Sequence, residues 1–485
     1  MFYTIITQGF PDGVHLYSRG NKREGDNIMS KDMTKGSPIR LMLFFAFPLL
    51  IGNLLQQTYS MIDAAIVGRY LGTQALASVG STSSVQFLVL GFCMGMCNGF
   101  SVPVARFFGA GDYGRMRNCI AHAVTLTAGA AVLLTAVCAI LCPWILKILS
   151  ITEDIYDNAY LYLIIIFLGM PFTLLYNLLS SILRAVGDSR TPFLFLAFST
   201  VLNIGLDLLC ILVFSWGCAG AAIATITAQA VSGIGCLIFI SRRFKELVPT
   251  QSERKLTRSG IGMMLGMGLP MGLQFSITAI GSMVMQSANN GLGSVYVSGF
   301  TAAARIKQFA MSPFDAIATS VSVFCSQNAG AKQAGRIRKG FVQGLFAGVF
   351  YGICAGLVLI FFGRTLSLIF VSPDAADVLD ASAKYLRYMG YFYWSLGFLN
   401  VCRMCTQGLG FSGRAVVSGV MEMIARIFVS FVFVGTYGFT AICCADQTAW
   451  VMACVYIVPM CLYCIRKVCR GIDTGPLSVS GNCEQ

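Results

Sequence analysis

The chain has 485 residues, of which 56% are hydrophobic and only 11% charged, and its formal net charge is +13. Soluble domains carry roughly 25% charged residues, and a water-soluble fold of this composition would expose apolar patches that aggregate. An ordinary soluble protein is therefore excluded, and the chain reads as an all-α polytopic membrane protein.

The stretch Met1–Arg40 is polar and holds Arg19, Lys22, Arg23, Lys31, Lys35 and Arg40. It lacks the short apolar core and small-residue cleavage site of a secretory signal, so residues 1–38 are expected to be a cytoplasmic tail, with Met29 and Met33 as alternative starts. Apolar blocks then follow, each longer than the ~20 residues that cross a ~30 Å hydrocarbon layer. Cys119–Leu146 and Gly340–Gly363 hold no formal charge, and Thr191–Trp216 holds only Asp207. The pattern predicts twelve spans, near 41–69, 81–108, 119–146, 157–183, 191–215, 217–241, 260–289, 296–329, 340–363, 384–411, 415–437 and 442–465. They divide the chain into an amino lobe (39–241), a basic cytoplasmic linker (242–259), a carboxy lobe (260–466) and a second cytoplasmic tail (467–485).

Basic residues concentrate in alternate breaks, including Arg115 and Arg117, the linker, and Arg336 and Arg338. The opposite breaks carry Glu153, Asp154, Asp374 and Asp377 instead. Lys and Arg favour the cytoplasmic side, so both termini are expected there, with the chain in a plasma membrane. The positive charge needs no nucleic acid partner; membrane lipids with anionic heads account for it. Most of the 19 cysteines fall inside apolar runs, where a thiol acts as a small hydrophobe. Cys402-x-x-Cys405 and Cys461-x-x-Cys464 have metal-like spacing, but with only His15 and His122 in the chain they read as packing.

The chain also aligns with itself. When Leu71-Gly72 is laid on Leu292-Gly293, the same shift brings Gly109-Ala110 onto Gly330-Ala331 and Gly114-Arg115-x-Arg117 onto Gly335-Arg336-x-Arg338. At nearly that shift Pro48 meets Pro270, and Gly187 meets Gly410. Six spans per half give both halves one orientation, the two-lobe plan of many secondary transporters. A channel or receptor is the alternative on such a bundle. No phosphate-binding Gly-x-x-x-x-Gly-Lys-Ser/Thr run is present, so energy is expected from an ion gradient or a partner, with no cofactor. No serine–lysine pair, histidine cluster or zinc motif marks an enzyme.

Charges within spans are costly, by roughly 2.5–3.5 kcal/mol each on insertion scales, and so are suspects for function. Eight stand out: Asp63, Asp207, Arg305, Lys307, Asp315, Arg403, Glu422 and Arg426. Asp63, Asp207 and Thr225 fall at a similar depth, roughly 10–12 Å inside the outer face. Asn203 is one turn from Asp207, on the same side of its helix. Two carboxylates, an amide and a hydroxyl at one level make an oxygen-rich pocket for a proton or a hard monovalent cation, unless Asp63 only bonds a neighbouring helix. Glu422 and Arg426, spaced i,i+4, read as a structural ion pair. Arg305 and Lys307 would repel cations or reach Asp315, Arg403 would snorkel near Gln407, and His122 reads as a hydrogen-bonded core residue.

Phe47-Pro48-Leu-Leu-Ile-Gly-Asn53 with Tyr59-Ser-Met-Ile-Asp63-Ala-Ala-Ile-Val-Gly68-Arg-Tyr-Leu-Gly72 resembles the first span of the multidrug and toxic compound extrusion (MATE) family. So do Leu183-Arg184-Ala-Val-Gly187-Asp188-Ser-Arg190-Thr-Pro192, Asn203-Ile-Gly-Leu-Asp207, Gly268-Leu-Pro270-Met-Gly-Leu-Gln274 and Gln327-Asn328-Ala-Gly330-Ala331, over about residues 38–470. The resemblance implies efflux of amphipathic, mostly cationic drugs in exchange for H⁺ or Na⁺, by alternating access. It also implies a cation-coupling set at Asp63, Asn203, Asp207 and Thr225, with Na⁺, if that is the ion, held at Asp63 and Asp207. Gln57, Tyr59, Tyr176, Gln274 and Thr278 are the expected lining of a substrate cavity, in a monomer. Thr278 stands where some members carry a glutamate, which shifts the coupling role to the amino lobe. The rival transporter reading is a lipid-linked oligosaccharide flippase of related architecture, which would need a more cationic central cavity.

Overall fold

The computed structural model describes residues 32–149 and 151–474; the far ends of both expected tails lie outside the described residues. It is helical throughout, with no strand among the described residues. In hydrocarbon no water can satisfy a bare N–H or C=O, so a spanning segment bonds internally as a helix. The elements are α1 (Pro38–Gly109), α2 (Tyr113–Ile148), α3 (Glu153–Leu168), α4 (Met170–Ala185), α5 (Arg190–Leu208), α6 (Gly217–Arg243), α7 (Arg258–Asn290), α8 (Ser294–Gly330), α9 (Ala334–Ser367), α10 (Ala376–Gly408), α11 (Ser412–Val432), α12 (Val434–Tyr437) and α13 (Phe439–Asp473).

Local chemistry sets several starts. Pro38 opens α1, the Asp112 side chain accepts from Arg115 N at 3.0 Å, and Thr257 Oγ1 accepts from Gly260 N at 3.1 Å. Each satisfies a donor that a helix start leaves free. α1 reverses at Gly72, where φ is +87°. A Cβ on Gly68 would lie 3.2 Å from the Leu76 side chain. In a straight helix those residues stand about 12 Å apart, so the stretches 38–71 and 73–109 form a hairpin.

Nine helices among the described residues are long and apolar enough to cross a membrane, or ten if α3 and α4, bent by 46°, form one span. The twelve runs read from sequence differ from this for two reasons. The first two lie within α1, and α10 carries Asp377, Asp380, Lys384, Arg387 and Arg403. The predicted fourth span is broken at Gly169, and the fifth ends in a wide helical turn over Leu209–Val213. The cytoplasmic tail read at 467–485 begins inside α13, which runs on to Asp473.

The internal repeat is conformational as well as sequential. Positive φ recurs at matching turns: Gly72 and Gly293 (+87° and +106°), Gly111 and Lys332 (+70° and +56°), Gly187 and Gly410 (+86° and +97°), and Gly217 and Gly438 (+58° and +53°). Left-handed backbone is uncommon outside glycine, so Lys332 holds its conformation because the repeated turn demands it. The buried apolar clusters largely separate by half. One is built mainly from α8, α9, α10 and α13, three lie within residues 66–264, and a small fifth joins Val102 to Met267 and Met271 across the halves. Met33, Met42 and Phe45 belong to the carboxy-half cluster, so the start of α1 packs across the seam.

The basic linker is docked rather than free in solvent. Arg117 makes a two-pronged ion pair with Glu253 (2.8 and 2.7 Å), and Asn118 Nδ2 donates to Glu253 O at 2.7 Å. Hydrogen bonding to Arg117 holds the Glu253 carboxyl below its ordinary value, at about 2. His122 is buried, with Nδ1 2.8 Å from Asn118 O and Nε2 accepting from Thr257 N at 3.0 Å. Both ring nitrogens are thus occupied in fixing the linker.

Candidate functional site

Asp63 on α1 and Asp207 on α5 stand within side-chain hydrogen-bonding reach of each other. Asp207 and Asn203 are buried, and Asp63 is half-buried. The Asn203 amide serves two partners at once, its nitrogen donating to Asp207 Oδ2 at 2.9 Å and its oxygen accepting from Thr225 N at 3.1 Å. Thr225 Oγ1 lies 3.3 Å from the Tyr59 hydroxyl. One oxygen of each carboxyl, Asp63 Oδ1 and Asp207 Oδ1, is buried with no hydrogen-bond partner among the described residues. Two carboxylates at contact repel unless a proton or cation lies between them, so this donor set suits H⁺ or a hard monovalent cation.

The four residues placed at one depth by sequence therefore meet. Spacing pointed to their level but not to Tyr162. It is buried, close enough to Asp63, Asp207 and Gln86 to interact with each, and Gln86 Nε2 reaches Thr82 at 3.0 Å. A tyrosine in an apolar span carries no sequence signal that separates it from ordinary packing.

The five cavity candidates do not gather. Tyr59 joins the carboxylate pocket, while Gln57 is two residues away, about 200° around the helix. Tyr176 is buried and donates to Pro192 O at 2.9 Å, within the amino half. Gln274 is buried against Gln407, whose Nε2 donates to it at 2.5 Å, and Thr278 donates back to Gln274 O at 3.0 Å. These two sit opposite Gly419 of α11, inside the carboxy half.

A second set of charges is buried in the carboxy half. Glu422 and Arg426 pair at 3.3 Å, as their spacing predicts, but within a wider network. Arg403 bonds both Ser418 (2.9 Å) and Glu422, so it packs inward on α11 rather than snorkelling. Arg426 Nε donates to Asp446 at 2.9 Å, and Asp446 also receives Lys307 and, at 2.5 Å, the Tyr385 hydroxyl. Lys307 thus has Asp446 as its partner and not Asp315, which lies about two turns away along its own helix. Asp446 lies in the twelfth apolar run and is a further in-span charge beside the eight that stand out in the sequence.

The halves touch along the side that bears the linker. Ser326 donates to Val102 O (2.9 Å), Arg106 to Leu409 O (2.9 Å), and Gln327 to Ala185 O (2.7 Å). Met33 N donates to Gln327 Oε1 at 3.0 Å and Arg336 Nη2 donates to Met33 O at 3.0 Å, tying the segment before α1 to the same seam.

Paired helical halves and a buried carboxylate pair define a polytopic membrane transporter. The MatE family model matches residues 48–209 and again 270–432, once in each half. The probable multidrug resistance protein YpnP of Bacillus subtilis (strain 168) is 30% identical over 411 residues, covering 85% of this chain and 89% of that protein. A protein named FAD transporter from Shewanella oneidensis is 25% identical over 366 residues, covering 74% and 79%. A solved structure described as the outward-facing conformation of a multidrug resistance MATE family transporter of the MOP superfamily superposes with a TM-score of 0.85. Its sequence is 20% identical, and the match covers 93% of this chain and 99% of that one. The chain belongs to the MATE family: it is a membrane transporter and not an enzyme.

Proposed function

We propose that the chain is a multidrug efflux transporter that exchanges inward-moving H⁺ or Na⁺ for amphipathic, mostly cationic compounds. On this reading it has twelve spans in two six-helix lobes, both termini lie in the cytoplasm, and it works as a monomer in the plasma membrane. The observation that carries the coupling is the meeting of Asp63 and Asp207 with an unpartnered oxygen on each. Burying two carboxylates in a bundle is expensive unless an ion comes and goes there.

The lobes rock about the seam described above. Contacts on the linker side close the cytoplasmic entrance, leaving the carboxylate pocket to the outer half. Loading it with H⁺ or Na⁺ neutralises it and weakens its hold on a cationic substrate, which leaves outward. The lobes then re-pair on the outer side and the ion is released inside. The ion drives this only because it binds the two states differently. One pH unit supplies about 1.4 kcal/mol and 100 mV about 2.3 kcal/mol per charge, enough for modest substrate gradients.

The test is uptake of a fluorescent cationic dye by proteoliposomes under imposed H⁺ and then Na⁺ gradients, with Asp63→Asn and Asp207→Asn beside the native chain. Gradient-driven uptake lost in both variants, with membrane expression intact, is the expected result. Unchanged uptake in either variant removes the pocket from the coupling. Because relatives bear different names, FAD is included as an anionic competitor; inhibition by FAD and not by cationic compounds would overturn the substrate class.

A further inference from the structure

At the linker end of the carboxy half, the start of α9 and the end of α13 flank an open recess of about 440 Å³. Its floor is apolar, with Phe341, Leu462 and Ile465, and three guanidinium groups surround it: Arg338, Arg466 and Arg470. All three are exposed, and Arg338 is shared with Asp473 at 3.2 Å. With Asp473 paired to Arg338, an excess of two positive charges stands over a greasy base among the described residues. Cys469 Sγ, 3.6 Å from Ala334 O, holds the two helices together beside it.

A second observation extends the cavity toward the bilayer interior. Val342, Phe346, Phe350 and Ile353 are 61, 71, 59 and 49% exposed and recur every three or four residues, forming one stripe along α9. Phe346 and Phe350 stack at 6.1 Å. On α13, Leu462 and Val455 are 40 and 69% exposed. A basic recess thus opens onto a continuous apolar track, a shape and polarity that match a phosphate head carrying hydrocarbon tails.

We propose that this recess binds an anionic phospholipid, its phosphodiester held by Arg466 and Arg470 with Arg338, and its acyl chain laid along the α9 stripe. Planar guanidinium groups suit phosphate oxygens through paired hydrogen bonds. The free excess of positive charge selects anionic heads over zwitterionic ones. The site is separate from the carboxylate pocket, so its occupancy does not depend on which ion couples transport.

The test is native mass spectrometry of the purified full chain with dioleoyl-phosphatidylglycerol, dioleoyl-phosphatidylcholine, dihexanoyl-phosphatidylglycerol and inorganic phosphate. Retained adducts with the first alone are expected. In R466Q/R470Q the affinity should fall about 30-fold, equivalent to about 2 kcal/mol for two basic groups. R242Q/K245Q, which removes the same charge from the same end but outside the cavity, should bind as the native chain does. Equal weakening in both variants would reduce the effect to diffuse charge and overturn the site. Equal binding of phosphatidylcholine would remove the selection by charge, and equal binding of the short-chain lipid or of phosphate would remove the acyl track.

Discussion

Gly109 and Gly330, equivalent positions of the internal repeat, cross at the seam between the halves. A Cβ on Gly330 would lie 1.8 Å from Arg106 O, and one on Gly109 would lie 2.0 Å from Gln327 O. Backbone meets backbone there, and the two helices can come this close only because neither position has a side chain.

Gly330→Ala should therefore prevent closure on the linker side. The helices would have to part by roughly 1.5 Å, and overpacking of this kind is not absorbed by rotamer changes. Dye transport should fall more than tenfold while the protein still elutes as a folded species. Gly262→Ala, where an added Cβ meets nothing within 4 Å, should leave transport unchanged.

Asn203→Ala should shift ion coupling without unfolding the amino half. The amide holds Asp207 Oδ2 and Thr225 N in register. A hydrogen bond to a charged group is worth ~1.5–3 kcal/mol and favours the ionised carboxyl, so the ion concentration for half-maximal dye exchange should shift by roughly tenfold or more, to lower concentration if the ion is H⁺. An unshifted ion dependence would show that the amide does not position the pair.

Asp446→Asn should be among the costly single changes in the carboxy half. It removes the carboxylate that receives Lys307, Tyr385 and Arg426, leaving buried cations short of their partner. Breaking a buried pair from one side costs ~3–5 kcal/mol, so the melting temperature in detergent should drop by several degrees. Arg364→Gln breaks the exposed pair with Asp380, and an exposed pair is worth about 0–1 kcal/mol, so its melting temperature should barely move.

Linker docking should respond to acid in one defined window. Glu253 titrates at about 2 in the folded chain against an ordinary 4.5, because Arg117 hydrogen-bonds its ionised form. A depressed carboxyl contributes stability that is fully present above about 4.5 and is lost as pH falls through about 2. Amide exchange over residues 245–257, corrected for its intrinsic pH dependence, should be flat from pH 7 to 5 and rise between 4.5 and 2. Glu253→Gln should raise exchange at neutral pH and abolish that step.

Much of this molecule is legible in the order of its residues. The spacing of apolar residues marks the chain as a set of long apolar helices, and the internal repeat already pairs Gly72 with Gly293 and Gly109 with Gly330. The levels of Asp63, Asn203, Asp207 and Thr225 follow from the constant rise of a helix, counted inward from the span ends. These residues do meet. Depth along a helix is a one-dimensional quantity, and the chain itself carries it.

Direction around a helix relative to a distant one is different, since packing between elements sets it. Nothing in the spacing of Lys307, Arg403 and Asp446 says that Lys307 turns to Asp446 and not Asp315, or that Arg403 turns to Glu422 and not to water. The same holds for Tyr162 beside the carboxylates, and for Tyr176 and Gln274, whose polar atoms are taken up inside their own halves. Only the tertiary structure decided which groups share a face, because a charge in hydrocarbon takes whichever partner the neighbouring helix brings within reach.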